Sequence, residues 1–307
     1  MLKLEQPSQI KSLKLSHIHC TIGVFDGVHL GHQRLINHVV QSAKENKGTS
    51  IVITFDKHPY NIINPSIHIP ILTLPDQKLY LLESLGVDIC ILIKFNKAVA
   101  EIPAETWIKE VLWNEMHIET IHMGDDTFFG KDQKGDINML THWSRQLGFK
   151  VIKIDMMRTD KTQISSTAIR NLILKGDFKN TEKLLGRPYS VLGKHINGRG
   201  LGKELGFPTI NLDTSNQCLP PNGIYTVYIN KDIPAVANLG ISPTFGFNTK
   251  PLLEVHILSD RMPDDQSNIE VQFIEKLRDE IKFQSIPALI EQIKKDTEQA
   301  KKTFFSL

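Results

Sequence analysis

The chain has 307 residues, 40% of them hydrophobic and 23% charged, enough for a sizeable core and for one large or two ordinary domains. Thirty-six Lys and Arg against 34 Asp and Glu leave a formal charge of +2, which argues for neither a nucleic-acid surface nor a membrane-binding face. Three scattered cysteines, Cys20, Cys90 and Cys218, make neither a disulfide framework nor a zinc set. With no apolar h-region in MLKLEQPSQI and no long apolar run, a cytoplasmic protein is expected.

In chain order, β-branched apolar runs recur at 20–25, 50–55, 88–95, 120–124 and 150–156. They are continuous rather than alternating, as parallel strands covered on both faces are. Helical patterns lie between them: Leu35, Ile36, Val39, Val40 and Ala43 share one face, as do Trp107, Ile108, Val111 and Leu112. The alternation predicts an α/β domain with a doubly wound parallel sheet.

After about residue 185 the texture changes to short strands separated by Gly, Pro and Asn turns: SVLGKHIN, TINL, GIYTVYI, AVANLG, LEVHIL and IEVQFIEKL. Such spacing predicts a small antiparallel barrel or sandwich. A terminal helix follows, with Ile286, Leu289, Ile290 and Ile293 on one face and Pro287 in its first turn. GRPYS (186–190) is the expected hinge, giving domains 1–185 and 186–307.

Between the first strand and first helix runs TIGVFDGVHLGHQRLI (21–36). Ligands in a parallel sheet sit beyond the carboxyl ends of its strands, and a helix N-terminus there favours anions. Gly27 and Gly31 let backbone approach a phosphate, and His29 and His32, three apart, can point at one spot and donate to a phosphoryl group gaining charge. A plain glycine-bearing turn is the alternative. Zinc lacks further ligands, and no Gly-Lys-Ser/Thr follows to make a P-loop.

GVFDGVHLGH resembles the GxFDGxHxGH signature of nucleotidyltransferases, which implies that His29 and His32 bind a nucleoside triphosphate, with Gly23, Phe25, Asp26, Gly27 and Gly31 as further ATP- and phosphate-binding residues. ISSTAIR (164–170) is similar to that superfamily's phosphate motif, implying that Ser166, Thr167 and Arg170 face the β- and γ-phosphates; ISST can equally cap the helix that follows. TFDKHP (54–59) and MGDDTFFGKDQKGD (123–136) resemble the flavin-side segments of bacterial FAD synthetases, implying roles for His58, Pro59, Asp126 and Phe129. Lys57 and the pair Thr127–Phe128 depart from that family's pattern, whereas Gly130, Gly135 and Asp136 match it.

In the second half, GRPYSVLGKHINGRGLGKELGFPTINL (186–212) resembles the riboflavin kinase domain, marked by GFPTAN in a Greek-key barrel. The resemblance implies that Thr209 and Asn211 hold Mg²⁺, whose preference for oxygen ligands suits a hydroxyl and an amide. Ile210 replaces the usual Ala, and strand alternation predicts that it points away from both. Gly198, Arg199, Gly200, Gly202, Lys203 and Gly206 would lie along ATP, although glycines also serve hairpin turns. LEVHIL matches the family's ExH strand, implying Glu254 as the base, on one face with His256; an exposed strand residue is the alternative. IEKLRDEIKF implies that Arg278 lies near the flavin, against a helix-surface salt bridge with Asp279 or Glu275.

The resemblance spans about residues 15–305 and implies a bifunctional enzyme that phosphorylates riboflavin and then adenylylates FMN, using ATP and Mg²⁺. A monomer or weak homo-oligomer without nucleic-acid or membrane partners is expected. A transferase with another acceptor, or a non-catalytic flavin binder, are the competing readings.

Overall fold

The β-branched runs of the first half form a six-stranded, all-parallel sheet in the order β1-β4-β3-β2-β5-β6. Its strands are β1 (Leu2–Leu4), β2 (Ile18–Ile22), β3 (Thr49–Phe55), β4 (Ile89–Ile93), β5 (Ile118–Gly124) and β6 (Lys150–Ile154). The computed structural model describes residues 1–155, 157–158, 163–197, 201–242, 250–263 and 268–305.

Period-two alternation and burial on both faces explain the continuous runs. On β3, Ile51 and Ile53 enter one core with Trp107, Ile108 and Leu112, while Val52 enters the other with Leu35, Ile36 and Val40. The second of these groups lies on α1 (Leu30–Glu45). Further cover comes from α2 (Pro75–Ser84) and α3 (Ile137–Leu147). The segment expected as an ordinary helix around Trp107–Leu112 adopts a wider π geometry over Trp107–Glu115. The chain leaves β2 toward β3 on one side and returns to β5 on the other, so strand order reverses between β2 and β5 and opens a crevice past their carboxyl ends.

Two histidines sit on the buried side of this sheet under α1. His19 on β2 exchanges a hydrogen bond with Ser42 at 2.9 Å, and its ring lies 6.1 Å from that of His122 on β5. Both are 1% exposed, and neither ring nitrogen of His122 has a hydrogen-bond partner. Burial, and secondarily His19, pushes His122 down to about 4; burial also lowers His19.

The backbone divides into two units, Met1–Ala168 and Ile169–Leu307, and α4 (Ser166–Ile173) spans the division. In the second unit β7 (Ser190–Ile196), β8 (Ile210–Asp213), β9 (Gly223–Ile229), β10 (Ile233–Ser242), β11 (Lys250–Ile257) and β12 (Asn268–Arg278) close into an antiparallel barrel, resolving the barrel-or-sandwich choice. Inside it pack Leu212, Ala237, Leu239, Leu253, Val255 and Phe273. The helix α5 (Phe178–Leu185) belongs with this barrel because Phe178 stacks on Phe273 at 5.4 Å and meets Tyr225 edge-on at 5.9 Å. The join expected at 185/186 lies just past that helix. The terminal helix α6 (Ile286–Phe305) covers the outside of β9, β10 and β12. Among the described residues no helix is long and apolar enough to cross a membrane.

His122 makes a pH prediction. Its folded pKa lies below the ordinary 6.5, so protonation favours the unfolded chain: its contribution is intact above pH 6.5 and is lost as pH falls towards 4. The loss amounts to about 3 kcal/mol at most. All three tryptophans, Trp107, Trp113 and Trp143, lie in the first unit and report its urea unfolding. The midpoint is expected to drop between pH 7 and 4.5, and His122→Leu to flatten that drop; an equally steep fall in the variant would refute it.

Candidate active sites

In the first unit the loop 23–29 runs from β2 into α1. His29 is the N-cap residue of α1, its Nδ1 accepting the His32 amide at 3.2 Å. The two imidazoles stack with centroids 3.6 Å apart and planes 17° apart, and Phe25 meets His32 edge-on at 5.2 Å. Desolvation, then the neighbouring His29 and Lys78, hold the half-buried His32 well below its ordinary pKa, so it is neutral at pH 7. A ring in that state can donate or accept without the repulsion that two stacked imidazolium ions would suffer.

The loop turns through Phe25 and Gly27, both at positive φ (49° and 85°). Close packing excludes a side chain at Gly23, where a Cβ would lie 2.9 Å from the Phe25 ring; at Gly31 it would lie 3.2 Å from His29. Asp26, 4% exposed, fixes this shape: its Oδ1 accepts the amides of Leu72 and Thr73 at 2.9 and 3.1 Å. The Gly27 amide in turn donates to the Thr73 hydroxyl at 3.1 Å. Ser166 at the start of α4 donates to the Asp26 carbonyl at 2.8 Å, which brings the two phosphate motifs together, with Thr167 exposed beside it. Arg170 lies a turn further along α4 and is buried.

Sequence reasoning missed Lys78. From α2 its Nζ donates to the carbonyls of Val24 and Phe55 at 2.8 and 2.9 Å and to the Thr54 hydroxyl at 3.3 Å, tying together the chain just past β2 and the end of β3. It is 4% exposed, and desolvation lowers it to about 8. The available signal was weak: Lys78 stands four residues before Leu82, on the buried side of its helix.

The flavin-side candidates follow β3 and β5. His58 caps the short helix Pro59–Ile63, accepting the Tyr60 amide at 3.3 Å, with Pro59 in its first position. Asp126 is exposed, yet its carboxyl is raised, by partial desolvation and by the adjacent Asp125. Phe128 is 57% exposed, whereas Phe129 enters the core and pairs with Gly135 through two backbone hydrogen bonds of 3.0 and 2.9 Å. Phe129 thus fixes its neighbours rather than presenting a ring. Asp136 accepts the Met139 amide at 2.8 Å as the N-cap of α3.

In the second unit a cavity of about 250 Å³ lies on the outer wall of the barrel, near the lower end of small-molecule sites. Thr209, Asn238, Glu254 and His256 line its barrel side. Phe283, Leu289 and Ile293 supply an apolar lining. Alternation explains the arrangement: on β11 Leu253 and Val255 fill the barrel, so Glu254 and His256 face out. On β8 Ile210 and Leu212 are buried, and Asn211 stands opposite Glu254 in the β8–β11 register. Ile210 therefore points away from Thr209 and Asn211, as alternation predicted.

His256 Nδ1 contacts the Pro208 carbonyl at 2.9 Å and its ring meets Phe207 edge-on. The Phe207 amide donates to the Gly202 carbonyl at 2.8 Å; a Cβ at Gly202 would come within 2.5 Å of the Phe207 carbonyl and 3.1 Å of the Thr209 hydroxyl. Gly206 turns the chain at φ 86°. Gly198, Arg199, Gly200 and the side chain of Lys203 lie outside the described residues.

Arg278 corrects one alternative. It ends a strand rather than lying on a helix, and its guanidinium takes Asp296 of α6, with Nε to Oδ1 at 2.9 Å and Nη2 to Oδ2 at 2.6 Å. Nη1 donates to the Asp279 carbonyl at 2.9 Å, so neither the Asp279 nor the Glu275 side chain is its partner. The pair joins the covering helix to the cavity wall, both residues lining the cavity.

Comparison with known proteins agrees with this geometry. A family model described as FAD synthetase matches residues 12–168, and one described as riboflavin kinase matches residues 185–304. A bifunctional riboflavin kinase/FMN adenylyltransferase of Buchnera aphidicola (subspecies Schizaphis graminum) is 37% identical over 92% of this chain and 93% of its own. The Haemophilus influenzae protein of the same name is 38% identical over 93% and 94%, and that of Escherichia coli K12 is 31% identical over 94% and 92%. A crystal structure described as a macrolide-efflux protein from Streptococcus pneumoniae aligns with TM-score 0.80 at 26% identity, covering 98% of each chain.

If Asp26 sets the loop, Asp26→Ala leaves the buried amides of Leu72 and Thr73 without their side-chain acceptor and destabilises the first unit by about 1–3 kcal/mol. Tryptophan fluorescence in urea measures this; an unchanged midpoint would show that the loop holds its shape without the carboxylate.

Proposed function

Because this chain belongs to the bifunctional riboflavin kinase/FMN adenylyltransferase family, we propose how its own residues divide the two reactions. The enzyme phosphorylates riboflavin to FMN with ATP, then adenylylates FMN with a second ATP to give FAD and pyrophosphate. The kinase domain is assigned to 186–307 and the adenylyltransferase domain to 1–185; the start of the riboflavin kinase match at residue 185 supports that division, whereas the FAD synthetase match ends at 168 and α5 packs on the barrel.

In the kinase step the 5′-hydroxyl of the ribityl chain attacks the γ-phosphorus of ATP, its proton passes to Glu254, and ADP leaves. One observation carries this reading: Glu254 and Thr209 line the same outer-wall cavity, with Asn211 opposite Glu254. Thr209 and Asn211 are neutral oxygen donors, and among the described residues no group of three or more His, Cys, Asp or Glu could cage a metal. That donor set fits a hard ion carried mainly by phosphates and water, which we assign as Mg²⁺. When bound, it neutralises phosphate charge and holds the γ-phosphate in line. Gly202 leaves room for the Phe207 carbonyl and the Thr209 hydroxyl, which a Cβ there would crowd, and the apolar lining of Phe283, Leu289 and Ile293 suits a flat heteroaromatic ring, with Arg278 at its edge.

In the adenylyl step an oxygen of the FMN phosphate attacks the α-phosphorus of ATP, and the bond to pyrophosphate breaks. The nucleophile is already an anion, so positioning and charge stabilisation suffice. His29, His32 and the start of α1 are assigned to the triphosphate, with Ser166, Thr167 and Arg170 completing its cradle and Gly23, Phe25, Asp26, Gly27 and Gly31 holding the loop. The Ser166–Asp26 contact supports treating the two motifs as one site. His58, Pro59, Asp126 and Phe129 are assigned to the flavin side, Pro59 and Phe129 by fixing their neighbours. The three cysteines are free and buried, which supports a cytoplasmic setting. We read the protein as a monomer or weak homo-oligomer that needs neither nucleic acid nor membrane.

Two variants test the division. His32→Ala is expected to lower FAD formation from FMN by about 100-fold or more while leaving FMN formation near normal; parallel loss of both would contradict separate sites. Glu254→Gln is expected to lower riboflavin phosphorylation by about 100-fold or more while supplied FMN is still adenylylated. Chromatography of products from riboflavin and, separately, from FMN reads both, and a Glu254→Gln enzyme that makes FMN at the normal rate would remove Glu254 as the base.

A further inference from the structure

One half-buried polar residue of the barrel wall is used by no step above. β10 reads Ile-Pro-Ala-Val-Ala-Asn-Leu-Gly-Ile-Ser over Ile233–Ser242, and Asn238 is the amide in an otherwise apolar stretch. Its neighbours Ala237 and Leu239 fill the barrel interior, so Asn238 faces outward with Val236 into the cavity roofed by Leu289 and Ile293. A β-branched side chain would suit that strand and that roof better than an amide.

The sheet register explains what the amide meets. Asn238 pairs with Glu254 across β10 and β11, and Glu254 pairs with Asn211 across β11 and β8, so the three stand in one row. The Asn238 amide nitrogen donates to Glu254 Oε2 at 3.3 Å, whereas its Oδ1 is buried without a hydrogen-bond partner. Turning the amide over would aim its oxygen at a carboxylate, so the charge on Glu254 dictates this orientation and the orphaned acceptor is its cost. A buried acceptor left unmatched, where an apolar residue would pack, marks a position kept for the site rather than for the fold.

We propose that Asn238 is a positioning residue for the kinase reaction: it grips one oxygen of Glu254 and so sets the rotamer that aims the carboxylate at the incoming hydroxyl. The inference rests on the reading of Glu254 as the base. Gly240, the next residue on the same face of β10, makes room for Glu280, which a Cβ there would meet. The charged groups Arg278 and Asp296 on the far wall are paired with each other and do not replace the amide.

The experiment compares Asn238→Leu and Asn238→Asp in the full-length enzyme, measuring riboflavin phosphorylation, FMN adenylylation and thermal unfolding. Asn238→Leu removes both the grip and the orphaned oxygen. The expected result is a 10- to 100-fold fall in kcat for phosphorylation, KM values for riboflavin and ATP within about twofold of normal, unaltered adenylylation, and a melting temperature equal to or above that of the parent. A merely structural role predicts the opposite pattern: lower melting temperature and raised KM with kcat kept, and that result overturns the proposal, as does an unchanged kcat. Should Asn238→Leu fail to fold, the isosteric Asn238→Asp decides, because it keeps the shape and replaces the donor with a like charge; normal kcat there refutes the grip. Glu254→Gln separates the two readings. If it stays active, the base assignment fails; if it is inactive while Asn238→Leu turns over normally, only the present inference fails.

Discussion

Turns and loops around a sheet leave backbone amides and carbonyls without ladder partners, and in the first unit two buried charged side chains take some of them up. Asp26 accepts the amides of Leu72 and Thr73, and Lys78 donates to the carbonyls of Val24 and Phe55. Each ion is expensive to bury and is tolerated because oriented backbone dipoles surround it. The loop between β2 and α1 therefore has one defined shape. Its histidines stack, its glycines lie close against rings, and Ser166 docks on its carbonyl as consequences of that shape.

The second unit solves the same problem differently. A closed barrel leaves its strands no open edge. Alternation then sorts the residues: one set on β8, β10 and β11 fills the interior, while Thr209, Asn238, Glu254 and His256 face the cavity. Among the ion pairs of this unit, Arg278 at the end of β12 takes the buried Asp296 and fastens α6 to the cavity wall.

Much of this was legible in the sequence, for physical reasons. Parallel strands buried on both faces read as unbroken apolar runs, and β2 to β6 fall where those runs lie. β1 was not legible: three residues, Leu2–Leu4, are too few for any period to show. Motif residues with fixed spacing, such as His29 and His32, could be found locally. Lys78 and Asp296 could not, because each meets its partners only after the chain has returned from a distant segment: Val24 lies 54 residues from Lys78. A lysine or aspartate on a helix otherwise reads as a solvent-facing charge. Asn238 was visible as a polar interruption in AVANLG, but its meaning required the register that sets it beside Glu254. The alternative of a helix-surface salt bridge for Arg278 failed because the strand β12 runs on to that residue.

The sorting of the barrel wall has an evolutionary consequence. Interior positions such as Leu212, Leu253 and Val255 bear the stability of the domain, and their exchange is penalised whatever the ligand. Their immediate chain neighbours Asn211, Glu254 and His256 are the ones assigned to the kinase reaction, and the barrel ladder closes around them. Selection can thus retune turnover or acceptor preference through one stripe of each strand while leaving the adjacent stripe untouched, so that descendants of such a barrel can drift in substrate without first losing their architecture.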